Sequence, residues 1–394
     1  MKILYIAPEY PSPGENAAQV RANALLPRLA EQVDLRILAY PPHDVEVETS
    51  SDPALTPVGR GVAARGALLR ATFSSRPRSF LRYDTAEARA AFAALLESFQ
   101  PDVVHFDSVG TLALMGELAR MPRPPKLVAH THDAVSQLYA RLAQSGPPLT
   151  RALARSEHRK FLRLEREELA RCDAVIVDSP EDAAFLRAQT GGARVNLVPI
   201  GVDLTRFSPD GPRADLTHPA IVFSGSMASE QSADAAQFLV GKIMPRLWQH
   251  YPDAHVYLVG SNPVSVVSAL EGDRVHITGF VDDLTRYLRA ADVYVCPLRL
   301  GSGMRTRVIE ALACGARAVS TSFGVRGLAQ DEGGDLPWLT ADTADAMATA
   351  MAELLGGARP DLGEHAAAYA VGNYSWDGVA AQIVEIYEGL LSNG

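Results

Sequence analysis

Short apolar runs alternate with segments of helical period along this chain. In the first half the strand-like runs are 2–7, 33–39, 102–106, 126–130, 174–177 and 194–198. Helix-period segments lie between them over 17–30, 85–99, 149–170 and 181–188. The pattern breaks at a turn-rich stretch from Pro209-Asp210-Gly211-Pro212 to His218-Pro219 and then restarts. Strands are predicted at 220–224, 254–259, 275–277, 293–296, 316–320 and 338–340, again with helices between. An amphipathic segment over 376–391 follows a break at Gly372-Asn373.

Strand–helix alternation of this kind builds a parallel sheet covered on both faces, and its repetition predicts two of them. The expected fold class is α/β, with two tandem Rossmann-like, doubly wound domains. The first spans 1–206, a hinge covers 207–219, the second spans 220–371, and 372–394 forms a terminal helix. Strand C-terminal ends are where such sheets bind ligands. A length of 394 residues suits two cores better than one.

Composition narrows the class. Hydrophobic residues make up 47% and charged residues 21%, the profile of a globular enzyme rather than a disordered or fibrous chain. Cys172, Cys296 and Cys314 are scattered without metal-type spacing and read as reduced thiols. Ile3-Leu4-Tyr5-Ile6-Ala7 is too short for a signal peptide, and no apolar run has the length of a membrane span. A cytoplasmic protein is expected, at most peripheral to the inner face of a membrane.

Charge is unevenly divided, with +1 over residues 1–206 and −10 over 207–394. Within 53–83 lie Arg60, Arg65, Arg70, Arg76, Arg78 and Arg82, with no acid among them. The run lacks interleaved aromatics and the chain is acidic, which argues against nucleic acid. Peripheral contact of this Arg60–Arg82 region with an anionic membrane fits better.

The densest chemistry lies in Pro297-Leu298-Arg299-Leu300-Gly301-Ser302-Gly303-Met304-Arg305-Thr306-Arg307, which follows a buried strand and leads to a helix carrying Glu310. A glycine loop entering a helix leaves free N–H groups where phosphate can sit. Arg305 and Arg307 add positive charge there, and a carboxylate such as Glu310 can accept from paired hydroxyls. This combination suits a nucleotide-sugar site.

The chain resembles the retaining family 4 glycosyltransferases (glycosyltransferase group 1), which have the GT-B fold. The motifs carrying the likeness are Gly279-Phe280-Val281-Asp282-Asp283-Leu284, Ala291-Asp292-Val293-Tyr294-Val295, the glycine loop with Glu310, and Pro199-Ile200-Gly201-Val202-Asp203 with Phe207. The resemblance implies two domains facing a deep cleft, closed by the terminal helix. Glu310 matches the second glutamate of the family's E-x7-E motif, which holds the donor ribose, while Ser302 stands where the first glutamate would be. The family's G-R-x4-K pair is also absent, since Ser226 and Gln231 occupy those places.

Donor contacts are therefore expected from Gly225, Ser226, Phe280, Val281, Gly301, Ser302, Gly303, Met304 and Glu310. His132, Arg305 and Arg307 are expected to be catalytic, the arginines neutralising the departing pyrophosphate. Acceptor contacts are expected from Gly14, Asn16, Arg21, His105 and His130. No metal and no cofactor are expected beyond a nucleotide diphosphate sugar as donor substrate, with an unidentified acceptor. Asp283 reads as a helix N-cap rather than part of a metal site. Two other readings share the architecture: a nucleotide-sugar 2-epimerase and a non-catalytic nucleotide-sugar-binding subunit.

Overall fold

The computed structural model describes residues 1–11, 17–41, 54–59, 74–121, 123–144, 147–191, 194–300, 306–328 and 335–392. They form two compact units, Met1–Pro199 with Trp376–Gly394, and Ile200–Ser375.

The first unit holds a seven-stranded sheet of β1 (Lys2–Ala7), β2 (Asp34–Ala39), β3 (Leu55–Pro57), β4 (Val103–Asp107), β5 (Lys126–His132), β6 (Ala174–Val177) and β7 (Val195–Leu197). Their order is β3-β2-β1-β4-β5-β6-β7, and every pairing is parallel. All five β4 residues are buried. Burial along its whole length is that of a strand in a sheet covered on both faces, and it takes His105 and Asp107 inside with the apolar residues.

Strand order reverses between β1 and β4, so this edge is a topological switch point. The helix Ala17–Ala30 follows β1, and the terminal helix Trp376–Ser392 packs on the same unit through an Arg28–Asp377 pair at 2.6 Å.

In the second unit, β8 (Ala220–Ser224), β9 (His255–Val259), β10 (Val275–Gly279), β11 (Val293–Cys296), β12 (Ala318–Ser320) and β13 (Trp338–Thr340) order as β10-β9-β8-β11-β12-β13. These pairings are also all parallel, and the reversal falls between β8 and β11. Asp283 caps the helix Leu284–Ala290 as its sequence suggested, accepting from Thr285 N at 3.0 Å.

Some boundaries differ from the pattern. Most of the turn-rich stretch packs into the second unit: Phe207 is in its core, and Arg289 clamps the Ser208, Arg206 and Pro212 carbonyls at 2.7, 3.0 and 3.4 Å. Gly372 and Asn373 lie inside the helix Leu362–Tyr374, and the break comes at Ser375. Helix propensity across that glycine is overridden by the burial of Tyr369, Ala370 and Tyr374. The strand expected over 126–130 runs on to His132, and the short helix Val135–Leu142 lacked a pattern long enough to read.

Candidate functional site

Both switch-point edges carry chemistry. In the first unit, Arg21 comes from the helix after β1, His105 and Asp107 from β4, His130 and His132 from β5, and Asp178 from the residue after β6. The β4–β5 register sets Asp107 beside His130. A bulge at Thr131 then turns His132 to φ +60°, a left-handed conformation uncommon outside glycine. Two carboxylates hold it there: Nδ1 lies 3.0 Å from Asp178 and Nε2 lies 2.9 Å from Asp107. Backbone strain kept by surrounding contacts is often found at functional sites.

Hydrogen-bond logic fixes the charges. Arginine can only donate, so His130 Nδ1, 2.6 Å from Arg21 Nη2, accepts. His130 Nε2–H then donates to Asp178 at 2.7 Å, which makes the ring neutral. Burial, with Arg21 and His132 beside it, lowers the His130 pKa to about 4.

His132 is the opposite case. Burial and Arg21 pull its pKa down, but Asp178 and Asp107 outweigh them and raise it to about 9. Both ring nitrogens face carboxylates, so His132 is an imidazolium. In return, although burial works the other way, the surrounding cations hold Asp107 and Asp178 far below the usual carboxylate range.

Stability should therefore depend on pH in two ways. His132 contributes fully below its unfolded pKa near 6.5, and that contribution fades as pH rises through about 9. His130 resists protonation in the fold, so below about 6.5 the unfolded state gains a proton that the native state refuses, and stability falls toward pH 4. The melting temperature is expected to peak near pH 6.5. His132→Gln should flatten the alkaline limb and, by removing a cation that opposes protonation of His130, make the acid limb shallower without abolishing it. Parallel curves for the two proteins above pH 7 would contradict this assignment.

Beneath this layer, His105 is wholly buried and stacks on Tyr5 at 4.5 Å between ring centroids. Its Nδ1 shares a 2.6 Å hydrogen bond with Tyr387 Oη from the terminal helix. His105, Asp107 and His130 bring ligand-type atoms within 4.8 Å of one another, as do His130, His132 and Asp178. Hydrogen bonds already engage the second trio, and the Arg21 guanidinium lies beside both.

At the second edge, glycines follow or end three neighbouring strands: Gly225 after β8, Gly260 after β9 and Gly279 at the end of β10. A Cβ on Gly260 would lie 1.8 Å from the Gly225 carbonyl oxygen. A Cβ on Gly225 would lie 2.4 Å from Arg307 Nη1. The glycines thus bring backbone and guanidinium together across the β8/β11 reversal.

Arg307 donates to Ser232 Oγ at 3.1 Å and to the Ser224 carbonyl at 3.3 Å. One turn further along the helix Thr306–Ala313, Glu310 is half-buried. Burial raises its pKa, opposed by Arg206 and Arg307. Arg299, entering the glycine loop, makes a bidentate pair with Asp234 at 2.6 and 3.1 Å.

The expected residues are thus sorted by position. Gly225, Ser226, Arg307 and Glu310 sit around one strand reversal, with Phe280 65% exposed beyond the end of β10 and Val281 next to it. His132 lies at the other edge and reaches solvent. Arg21, His105 and His130 are buried beneath it and, as placed, offer an acceptor no free surface. Gly14, Asn16, Gly301, Ser302, Gly303, Met304 and Arg305 lie outside the described residues, as do Arg60, Arg65 and Arg70.

Asp178, Tyr5, Tyr387 and Ser232 were missed as site residues. Asp178 had a readable signal, an acid ending a buried strand just before the Ser179 N-cap and Pro180.

Two doubly wound units with chemistry at their switch points define the GT-B class, and solved structures agree. Sucrose-phosphate synthase from Thermosynechococcus elongatus superposes with a TM-score of 0.65 at 20% identity, covering 100% of this chain and 99% of that one. The family profile described as "Glycosyltransferase Family 4" matches residues 18–206, and that described as "Glycosyl transferases group 1" matches 218–356. The chain belongs to glycosyltransferase family 4.

Among curated relatives, a phosphatidyl-myo-inositol mannosyltransferase of Mycobacterium tuberculosis is 28% identical over 50% of this chain and 54% of its own length. A GDP-mannose-dependent alpha-(1-6)-phosphatidylinositol monomannoside mannosyltransferase of Mycolicibacterium smegmatis is 25% identical over 73% of this chain and 76% of its own. The chain thus spans about half the length of the first of these relatives. No helix among the described residues is long and apolar enough to cross a membrane.

Proposed function

We propose that this protein is a retaining glycosyltransferase that moves a sugar from a nucleoside diphosphate donor to an acceptor hydroxyl. The observation carrying the reading is the grouping of half-buried Glu310 with Arg307 and Gly225 at the β8/β11 reversal. In this reading Glu310 accepts from the two ribose hydroxyls of the donor. Phe280 and Val281 border the base.

The diphosphate lies against Arg307, with Arg305 and the Gly301–Met304 stretch completing its cradle. Arg307 is preset by Ser232 and the Ser224 carbonyl, so it needs little reorganisation when charge develops on the leaving group. It takes over the task that an Arg/Lys pair at Ser226 and Gln231 performs in other members.

Retention follows without a protein nucleophile if the departing phosphate takes the acceptor proton on the same face of the sugar. Asp107 and Asp178 suit that scheme because both are already engaged by His132. The His132 imidazolium then contributes a fixed positive charge and an oriented ring at the sugar rather than a base. The name of one relative specifies GDP-mannose, which supports a nucleoside diphosphate sugar as donor class without choosing the base.

The test is a thermal-shift comparison across UDP-, GDP-, ADP- and TDP-sugars, followed by NMR of the product's anomeric centre. At least one donor should raise the melting temperature, by about 2.7 kcal/mol of added stability at a hundredfold excess over Kd. The product should keep the donor's configuration. An inverted product would sink the mechanism, and no shift with any donor would sink the site.

A further inference from the structure

We propose that the paired helices Val135–Leu142 and Pro148–Glu167 form a docking surface for an anionic lipid bilayer. The two helices are fastened together: Tyr139 stacks on Phe161 at 5.2 Å, and buried Glu165 accepts from Ser136 N at 2.8 Å. His158 Nδ1 adds a 2.9 Å contact to the Ser136 carbonyl. The pair therefore presents its outer side as one rigid surface.

That surface is basic. The two helices carry Arg141, Arg151, Arg155, Arg159, Lys160, Arg163 and Arg166 against Glu157, Glu165 and Glu167, of which Glu157 and Glu165 are buried. Glu157 is buried and accepts from Lys160 Nζ and from Arg78 N, both at 2.9 Å, so it offers no counter-charge at the surface. The Arg78 contact draws in the turn Arg78–Arg82. Arg78 and Arg82 lie near enough to Tyr139 to oppose the effect of burial on its hydroxyl.

Arg155 and Arg159 are exposed, and among the described residues neither has an ion-pair partner, while Arg141, also exposed, lies near enough to Asp133 to act on its carboxyl. Arg163 differs, pairing with Glu167 at 3.1 Å.

Apolar side chains accompany the charges. Leu138 and Leu142, one turn apart, are 38% and 43% exposed, and Leu149 at the start of the second helix is 73% exposed. Single exposed leucines need no explanation. Three on two helices that meet here and that carry the unpaired guanidinium groups of Arg155 and Arg159 have the make-up of an interfacial element. The leucines would enter the headgroup region while the arginines meet lipid phosphates.

This surface follows directly in the chain from the His132 edge. Taken together with the proposed function it indicates a membrane-linked acceptor, but the docking rests on the first unit alone.

The experiment is co-sedimentation of the full chain with phosphatidylcholine vesicles, with and without phosphatidylglycerol. Donor binding is measured on the same samples by thermal shift. The wild type should sediment with the phosphatidylglycerol vesicles and stay in solution with phosphatidylcholine alone.

A surface Lys or Arg adds roughly 1 kcal/mol near an anionic bilayer, so Arg155→Ala/Arg159→Ala should weaken vesicle binding about thirtyfold with donor binding unchanged. Leu142→Ser/Leu149→Ser should remove the part of binding that persists at high salt, because salt screens the charges but not the buried leucines. Wild type that does not bind anionic vesicles, or arginine variants that bind as well as wild type, would overturn the proposal. Vesicle binding without any donor binding would instead count against the proposed function.

Discussion

Replacing Glu310 with alanine is expected to weaken nucleoside diphosphate sugar binding about a hundredfold. A hydrogen bond to a charged group is worth about 1.5–3 kcal/mol, and the carboxylate here is asked to accept two. Loss of about 3 kcal/mol corresponds to roughly two decades in Kd. The fold should tolerate the change, because Glu310 lies on the half-buried side of its helix while Val308, Ile309, Ala311 and Leu312 carry the packing. Removing the carboxylate also relieves its burial cost, so the melting temperature without ligand should hold or rise.

Glu310→Gln separates charge from shape, since the amide keeps the size of the side chain but offers one acceptor oxygen in place of two. Its binding should fall between wild type and alanine. Burial has raised the Glu310 pKa, so protonation begins at a higher pH than for an ordinary glutamate. Wild-type donor affinity should therefore drop as pH falls through that raised value, and Glu310→Gln should not share the drop. Isothermal titration of both proteins from pH 8 downward measures this. Wild-type affinity in Glu310→Ala would remove the ribose from this position.

Much of this second edge was readable because local sequence encodes it. Val293–Cys296, the glycine loop and Glu310 form one strand–loop–helix unit within 18 residues, and a parallel strand buried on both faces announces itself as an unbroken apolar run. The positive φ at Gly225 and Gly260 explains why those positions are glycine, but the sequence could not reveal that Gly225 makes room for Arg307, 82 residues later.

The first edge was less legible for the same reason. Its contacts join residues far apart, such as Arg21 with His130 and His105 with Tyr387. Histidine is equally at home as a buried, neutral residue or as an exposed, charged one. Only the bulge at Thr131 decides that His130 turns inward and His132 outward. A bulge leaves little trace in an apolar-polar pattern, and a one-residue slip reverses which side chains are buried.

Arg21→Met should be the most destabilising of the conservative changes at this edge. Arg21 is buried, lies 3.5 Å from Asp107 and 3.8 Å from Asp178, and donates to His130. Methionine fills similar space but leaves two buried carboxylates sharing the His132 charge. Breaking a buried ion pair by removing one partner costs about 3–5 kcal/mol, because the other charge stays desolvated. For a unit of this size that is a fall of roughly 10 °C in melting temperature.

Asp178→Asn added to Arg21→Met should recover part of the loss, since the second change removes a charge that the first stranded. The pair should therefore be less damaging than the sum of the singles. Asp178→Asn also withdraws one of the two carboxylates that raise the His132 pKa, so the alkaline limb of the stability curve should lie at lower pH in the double variant than in Arg21→Met alone. If Arg21→Met melts within a degree or two of wild type, or if the two changes simply add, the four side chains are not one charge-balanced unit. His132 would then have to be oriented by the backbone bulge alone.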